Sequence, residues 1–294
     1  MRYRVQWLLV LVGVFDFCRS MTYEERIYLQ QHRRQPNMFM LLRKYLLWPP
    51  QSSIVPPITS EPTIKIKPLI VGGDSTSTDI YPYQLSLRYS GIHICGATVI
   101  AAQYALTAAH CLDDGSYPDF ITFRGGSPHR FAGGYLYHAV SYELHPLYQP
   151  ETFDNDVAVV KISENFLDQL QRVLLVDESI RADCSDYPAT VIGWGTAADE
   201  YVPMILQELQ VLEQPRTICE KVWIEQITDR MLCAGGVLGQ DTCNGDSGGP
   251  LICNGYQIGI VSWGSAKCAI EMPAVFTNIT NPAIRDFIRE QAFV

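Results

Sequence analysis

Gly245-Asp246-Ser247-Gly248-Gly249-Pro250 is the stretch on which the fold of this chain turns. One nucleophile candidate, Ser247, stands among glycines that let a substrate backbone come close. Backbone N–H groups in such a turn can point at one spot and hold an oxyanion. A Gly-rich turn with a serine is common by itself, and a hydrolase also needs a base and a group that orients it. Upstream, Thr107-Ala108-Ala109-His110-Cys111 offers a base candidate in His110. Asp154-Asn155-Asp156-Val157-Ala158-Val159 offers the orienting group. Asp156 opens an apolar run, so its carboxylate is expected to be partly buried. A buried carboxylate needs a partner, and an imidazole N–H is a suitable one.

His110, Asp156 and Ser247, in this order and at these separations, resemble the catalytic triad of the chymotrypsin/trypsin family of serine proteases, the family from which the general triad template comes. Ile70-Val71-Gly72-Gly73, Gly193-Trp194-Gly195 and Val261-Ser262-Trp263-Gly264 match the same family, and the similarity covers residues 70–294. The resemblance implies an all-β fold of two antiparallel six-stranded barrels with a C-terminal helix, one barrel over about 70–183 and the other over about 184–294. His110 and Asp156 then come from the first barrel and Ser247 from the second. His110 would take the proton of Ser247, Asp156 would hold the tautomer, and the N–H groups of Gly245 and Ser247 would form the oxyanion hole. Ser262, Trp263 and Gly264 would pair with substrate backbone as an added strand. The family also implies polypeptide substrates, an activating protease, protein inhibitors, no cofactor and a monomer.

Pocket chemistry follows from the same likeness. Asp241 stands six residues before Ser247, at the spacing of a pocket-floor carboxylate that selects Arg or Lys. Thr242, Ala274 and Phe276 depart from the usual Ser, Gly and Tyr, and the Ala274 methyl is expected to narrow the pocket base. Activation in this family pairs a new N-terminus with the Asp beside the nucleophile, here Ile70 with Asp246, after a cut at Leu69–Ile70. The resemblance pairs Cys95 with Cys111, Cys219 with Cys233, and Cys243 with Cys268, and leaves Cys184 with Cys253. The stretch from Arg124 to His138, where calcium-binding members carry acidic ligands, has no Asp or Glu, so no metal is expected there.

The rest of the 294-residue chain fits this frame. It is 47% hydrophobic and 18% charged, with 21 Gly, 18 Pro and 16 Tyr, a composition that favours strands and turns over a helical bundle. Residues 1–69 carry 10 Lys/Arg against 4 Asp/Glu, and residues 70–294 carry 12 against 27. The acidic larger part repels nucleic acid and anionic lipid. Residues 1–20 read as a signal peptide, with Arg2 and Arg4 ahead of a short apolar run from Trp7 to Phe15 that is too short to span a bilayer. Of nine cysteines, Cys18 leaves with that segment and eight lie beyond residue 94, as an oxidising, extracellular location implies. Residues 21–69 read as a propeptide: basic, without cysteine, and Pro-rich over 49–69. Met38, Leu41, Leu42 and Tyr45 have helical spacing.

From Ile70 the pattern is one of short strands, for example at 84–88, 93–100, 120–124, 157–161, 189–193, 257–263 and 275–278. A final helix starts near Pro282, with Ile284, Phe287, Ile288 and Gln291 on one face. Asn278-Ile279-Thr280 is a glycosylation sequon. The main alternative to a secreted endopeptidase zymogen is a weakly active or non-catalytic homologue that acts as a binding protein on the same fold. A further one places the function in 21–69 as a membrane-surface or partner-binding arm.

Overall fold

Strand β1 (Asp74–Ser75) precedes six strands that close into a barrel. These are β2 (Gln84–Tyr89), β3 (Ile92–Ala101), β4 (Tyr104–Thr107), β5 (Ile121–Gly125), β6 (Tyr135–Leu144) and β7 (Ala158–Ile162), in the order β2-β3-β4-β7-β6-β5. The computed structural model describes residues 73–176, 188–195, 203–237, 246–265 and 271–294. Period-two alternation fills the barrel: Leu85, Leu87, Val99, Leu106, Ile121, Phe123 and Tyr137 are all buried inside. Tight hairpins follow from residues that tolerate positive φ. Ser90-Gly91 joins β2 to β3 with φ of 50° and 83°.

The second half is a nine-stranded sheet. It adds β8 (Leu174–Leu175), β9 (Ala189–Gly193), β10 (Gln207–Val211), β11 (Glu213–Gln214), β12 (Met231–Gly235), β13 (Pro250–Cys253), β14 (Tyr256–Trp263) and β15 (Pro273–Asn278). The order is β1-β10-β9-β13-β14-β15-β12-β11, with β8 beside β14. The six longer strands match in number the second barrel that the resemblance implied, although among the described residues they form an open path. Asn254-Gly255, at φ of 49° and 81°, closes the β13–β14 hairpin. Two pairings depart from a simple succession of two antiparallel barrels. β1, from the start of the domain, pairs with β10 of the second sheet, and β8 runs parallel to β14.

The strand predicted at 189–193 matches β9 residue for residue, and the others fall within two residues of observed strands. Of the longer strands, β4, β6, β10, β12 and β13 have no counterpart among the strands named from the sequence, nor have the two-residue strands β1, β8 and β11. A helix not foreseen, α1 (Arg216–Val222), carries an Arg216–Glu220 pair at 2.7 Å. The C-terminal helix α2 (Pro282–Ala292) is as predicted: Asn281 caps it by accepting the Ala283 N–H at 3.0 Å, and Ile284, Phe287 and Ile288 are buried. Gln291 is half-buried, and Ala292 completes the buried face. Among the described residues no helix is long and apolar enough to cross a membrane.

Several specific bonds join the halves. Gly96 N–H of β3 donates to Ser247 O at 2.7 Å. Thr98 Oγ1 donates to Gln257 Oε1 at 2.8 Å, and Trp194 Nε1 donates to Pro128 O at 2.9 Å.

Candidate active site

A short 3₁₀ turn, Ala109–Cys111, follows β4 and carries His110 at its centre. The turn is pinned by the Cys95–Cys111 disulfide, whose Cα atoms lie 6.3 Å apart. Asp156 comes from the residues leading into β7 and grips His110 with both oxygens. Oδ1 accepts the His110 backbone N–H at 2.9 Å, and Oδ2 accepts from Nδ1 at 2.7 Å. A carboxylate offers only acceptors, so in the neutral ring the imidazole proton sits on Nδ1 and Nε2 keeps its lone pair.

Asp156 is fully buried, as its place at the head of an apolar run foretold. The Ser262 hydroxyl also donates to its Oδ2, and Thr277 Oγ1 donates to its backbone oxygen at 2.6 Å. Both donors come from the second sheet, and Thr277 left no mark in the sequence reading. Burial of the His110 ring works to lower its pKa. The hydrogen bond and charge of Asp156, helped by the charge of Asp113, outweigh burial and hold it above the ordinary histidine value. The Phe153 ring stands edge-on to the imidazole at 5.4 Å.

Ser247 lies in the turn ahead of β13 and is half-buried. Gly248 N–H donates to Val261 O at 2.8 Å, and Gly249 N–H donates to Asp246 O at 2.9 Å. Gly248 has φ of +77°, and a Cβ there would lie 2.2 Å from Thr107 Oγ1 and 2.5 Å from Gly96 O. Only glycine lets this turn rest against the end of β4, three residues ahead of His110. The serine turn and the histidine turn thus share one edge of the first barrel.

Asp246 is fully buried, and its Oδ1 accepts the Gly195 N–H at 2.8 Å. A Cβ at Gly193 or Gly195 would lie 2.1 or 2.2 Å from the same carboxylate. The Gly-Trp-Gly motif therefore has a physical cause: both glycines leave room for Asp246. Its expected partner, Ile70, lies outside the described residues, as do Asp241, Thr242, Gly245, Cys184, Cys243 and Cys268. Cys219–Cys233 forms as expected, with Cα atoms 5.9 Å apart. Cys253 is disulfide-bonded.

Ser262 and Trp263 end β14, Gly264 follows it, and Ala274 of β15 lies against Gly264. The Ala274 methyl carbon lies 3.9 Å from where a Cβ on Gly264 would stand, an ordinary contact. A residue absent from the sequence reading organises this edge. Trp223, just beyond α1, donates its Nε1–H to Pro273 O at 2.9 Å and meets the Trp263 ring edge-to-face at 4.9 Å. It thereby braces both the strand expected to pair with substrate and the residue before Ala274. Asn278 is half-buried, and its Oδ1 accepts from the Thr280 N–H at 3.0 Å. In the loop where calcium ligands are missing, Ser127 Oγ donates to Ala132 O at 2.7 Å, and the Arg124 guanidinium donates to Gly133 O.

Comparison with known proteins agrees with this architecture. Residues 70–288 match the Trypsin family. Trypsin alpha-4 of Lucilia cuprina is 34% identical over 223 residues, covering 74% of this chain and 86% of that protein. The trypsin of Sarcophaga bullata is 35% identical over 232 residues, covering 76% and 89%. The trypsin of Phaedon cochleariae is 33% identical over 242 residues, covering 80% and 92%. A match of this length, on a chain whose closed six-stranded barrel presents a histidine held by a buried aspartate, places the protein in the trypsin family of serine endopeptidases, hydrolases that act on polypeptide substrates.

Proposed function

We propose that this endopeptidase is secreted as a zymogen, is activated by a cut at Leu69–Ile70, and cleaves after Arg or Lys with His110, Asp156 and Ser247 as its triad. The observation that carries the reading is the two-oxygen grip of Asp156 on His110. With Nδ1–H held, Nε2 is left as the atom that takes the Ser247 hydroxyl proton during attack on the scissile carbonyl. The same nitrogen then protonates the leaving amine, and water repeats the sequence on the acyl-enzyme. The N–H groups of Gly245 and Ser247 hold the developing oxyanion. Residues 1–20 act as the export signal and 21–69 as the propeptide.

Specificity rests on Asp241. A carboxylate at the base of an otherwise apolar pocket is stabilised by a cationic side chain and by little else. Profiling the activated enzyme on a peptide library is the direct test. Cleavage is expected after Arg and Lys, and Asp241→Ser is expected to remove the preference. A wild-type profile dominated by Phe, Tyr or Leu overturns the assignment.

Trp223 gives a smaller, independent check. Trp223→Phe keeps a ring against Trp263 and removes the N–H given to Pro273. KM is expected to rise about fivefold, the equivalent of ~1 kcal/mol for one hydrogen bond. An unchanged KM in a folded variant shows that the Pro273 contact does not shape the substrate edge.

A further inference from the structure

The backbone leading into Asp156 is strained. Phe153 and Asn155 both sit at positive φ, 56° and 55°, a region that asparagine tolerates but that a bulky side chain such as that of Phe153 rarely adopts. Such a turn persists only when its surroundings over-determine it. Asp154, between the two, is where that hold is applied. Its carboxylate is buried, and four donors converge on it. Oδ1 accepts the Asn155 N–H at 3.1 Å, the Thr228 hydroxyl at 2.7 Å and Arg230 Nε at 3.0 Å. Oδ2 accepts Arg230 Nη2 at 2.5 Å. The desolvation that would raise the Asp154 pKa is outweighed by these bonds and the Arg230 charge, so its carboxyl lies below its ordinary value.

Thr228 and Arg230 belong to the second half, immediately ahead of β12. Met231 of β12 pairs with Thr277 of β15, which holds the Asp156 oxygen, and Arg230 O accepts the Asn278 N–H at 2.8 Å. Asp154 and Asp156 are thus tied to adjacent strands of one sheet, the sheet whose β13 follows Ser247. We propose that Arg230, with Thr228, is a positioning residue for catalysis. By anchoring Asp154 it fixes the turn that presents Phe153 and Asp156 to His110, and so aligns the His110–Asp156 unit of one barrel with the nucleophile of the other. The proposal rests on the triad reading given above.

The test uses the activated full-length enzyme. Arg230→Leu is expected to lower kcat by about 10- to 100-fold, since a displacement of ~1 Å at a catalytic group costs on that order. KM should change less than twofold. The low-field proton resonance of the His110 Nδ1–H···Asp156 bond should shift or broaden. Arg230→Lys, which restores a charged donor, should recover most of kcat. Thr228→Val removes one donor, leaves the ion pair, and should give a smaller loss of the same kind, so the idea stays testable if Arg230→Leu fails to fold. A variant that melts earlier yet keeps wild-type kcat and an unchanged resonance well below its melting temperature overturns the proposal. Asp156→Asn is the reference for the underlying reading: full activity there defeats the triad, whereas its loss beside a neutral Arg230→Leu defeats only the positioning role.

Discussion

Ser247→Ala is expected to lower kcat by about 10⁶, the scale of loss when a serine nucleophile is removed from a triad. The fold should survive. The Ser247 contact that joins the two halves runs through its backbone oxygen to the Gly96 N–H, and alanine keeps that atom. Melting temperature and far-UV circular dichroism should match wild type, and a phosphonylating active-site probe should no longer label the protein. The retained full rate of a Ser247→Ala enzyme would refute the assignment. Asp156→Asn should cost about 10⁴, the scale known for this substitution in a Ser-His-Asp constellation. An amide can present its N–H₂ to Nδ1 and so drive the imidazole proton to Nε2, the atom that must accept. The pH profile adds a sign. In the proposed triad His110 works as a base only when neutral, and its pKa is held above the ordinary value. Wild-type kcat/KM should therefore fall as pH drops through that raised pKa and level off above it. In Asp156→Asn the raising charge is gone while burial, which lowers, persists, so the residual activity should extend to lower pH.

The intact chain is expected to be about 10²- to 5 × 10³-fold less active than the cut one, corresponding to the ~3–5 kcal/mol at stake when a buried ion pair loses a partner. Asp246 is fully buried one residue before Ser247, in a niche that the glycines of Gly193-Trp194-Gly195 keep open. In the reading proposed here the Ile70 ammonium, created only by cleavage, is the cation for this carboxylate and orders the oxyanion hole. The bond to be cut follows Leu69, not a basic residue, and Lys67 is followed by Pro68. An enzyme that requires Arg or Lys should not activate itself, and a protease accepting Leu after Pro is needed. No cysteine lies in 21–69, so the released segment should leave untethered. Purified zymogen incubated alone, followed by N-terminal sequencing, decides the matter. Spontaneous conversion to a chain starting Ile70-Val71-Gly72, or full activity without a cut, would overturn the claim.

Much of this site was legible because its signals are local. Asp156 heads an apolar run, so its burial and its need for an imidazole donor could be argued from neighbours. The helix near Pro282 announced itself through a proline at its first turn and a spaced apolar face. What escaped was carried by contacts across long separations. Arg230 meets Asp154 from 76 residues away, and Thr277 meets Asp156 from 121. No spacing rule connects such residues. β6 escaped because apolar residues lie on both faces: Tyr137 and Ala139 are buried, while Leu136 and Val140 are exposed. Helix α1, at seven residues, is too short for periodicity, and no side chain caps its start. Trp223, beside it, could be read only once the chain had brought Pro273 and Trp263 to the same place.

The pairing of β1 with β10 has a consequence for biosynthesis. Ser75 and Gln207 face each other across 132 residues of chain. The first barrel lies wholly within residues 84–162 and can close while the remainder is still being made. β1 has to wait. A ribosome adding about 5–20 residues per second delivers Gln207 roughly 7 to 26 seconds after Ser75. During that interval Asp74 and Ser75 have no strand to pair with, and a charge such as that of Asp74 disfavours pairing with another nascent chain. Neutralising it should leave the finished enzyme almost unchanged and lower instead the fraction of newly made chains that reach the folded state.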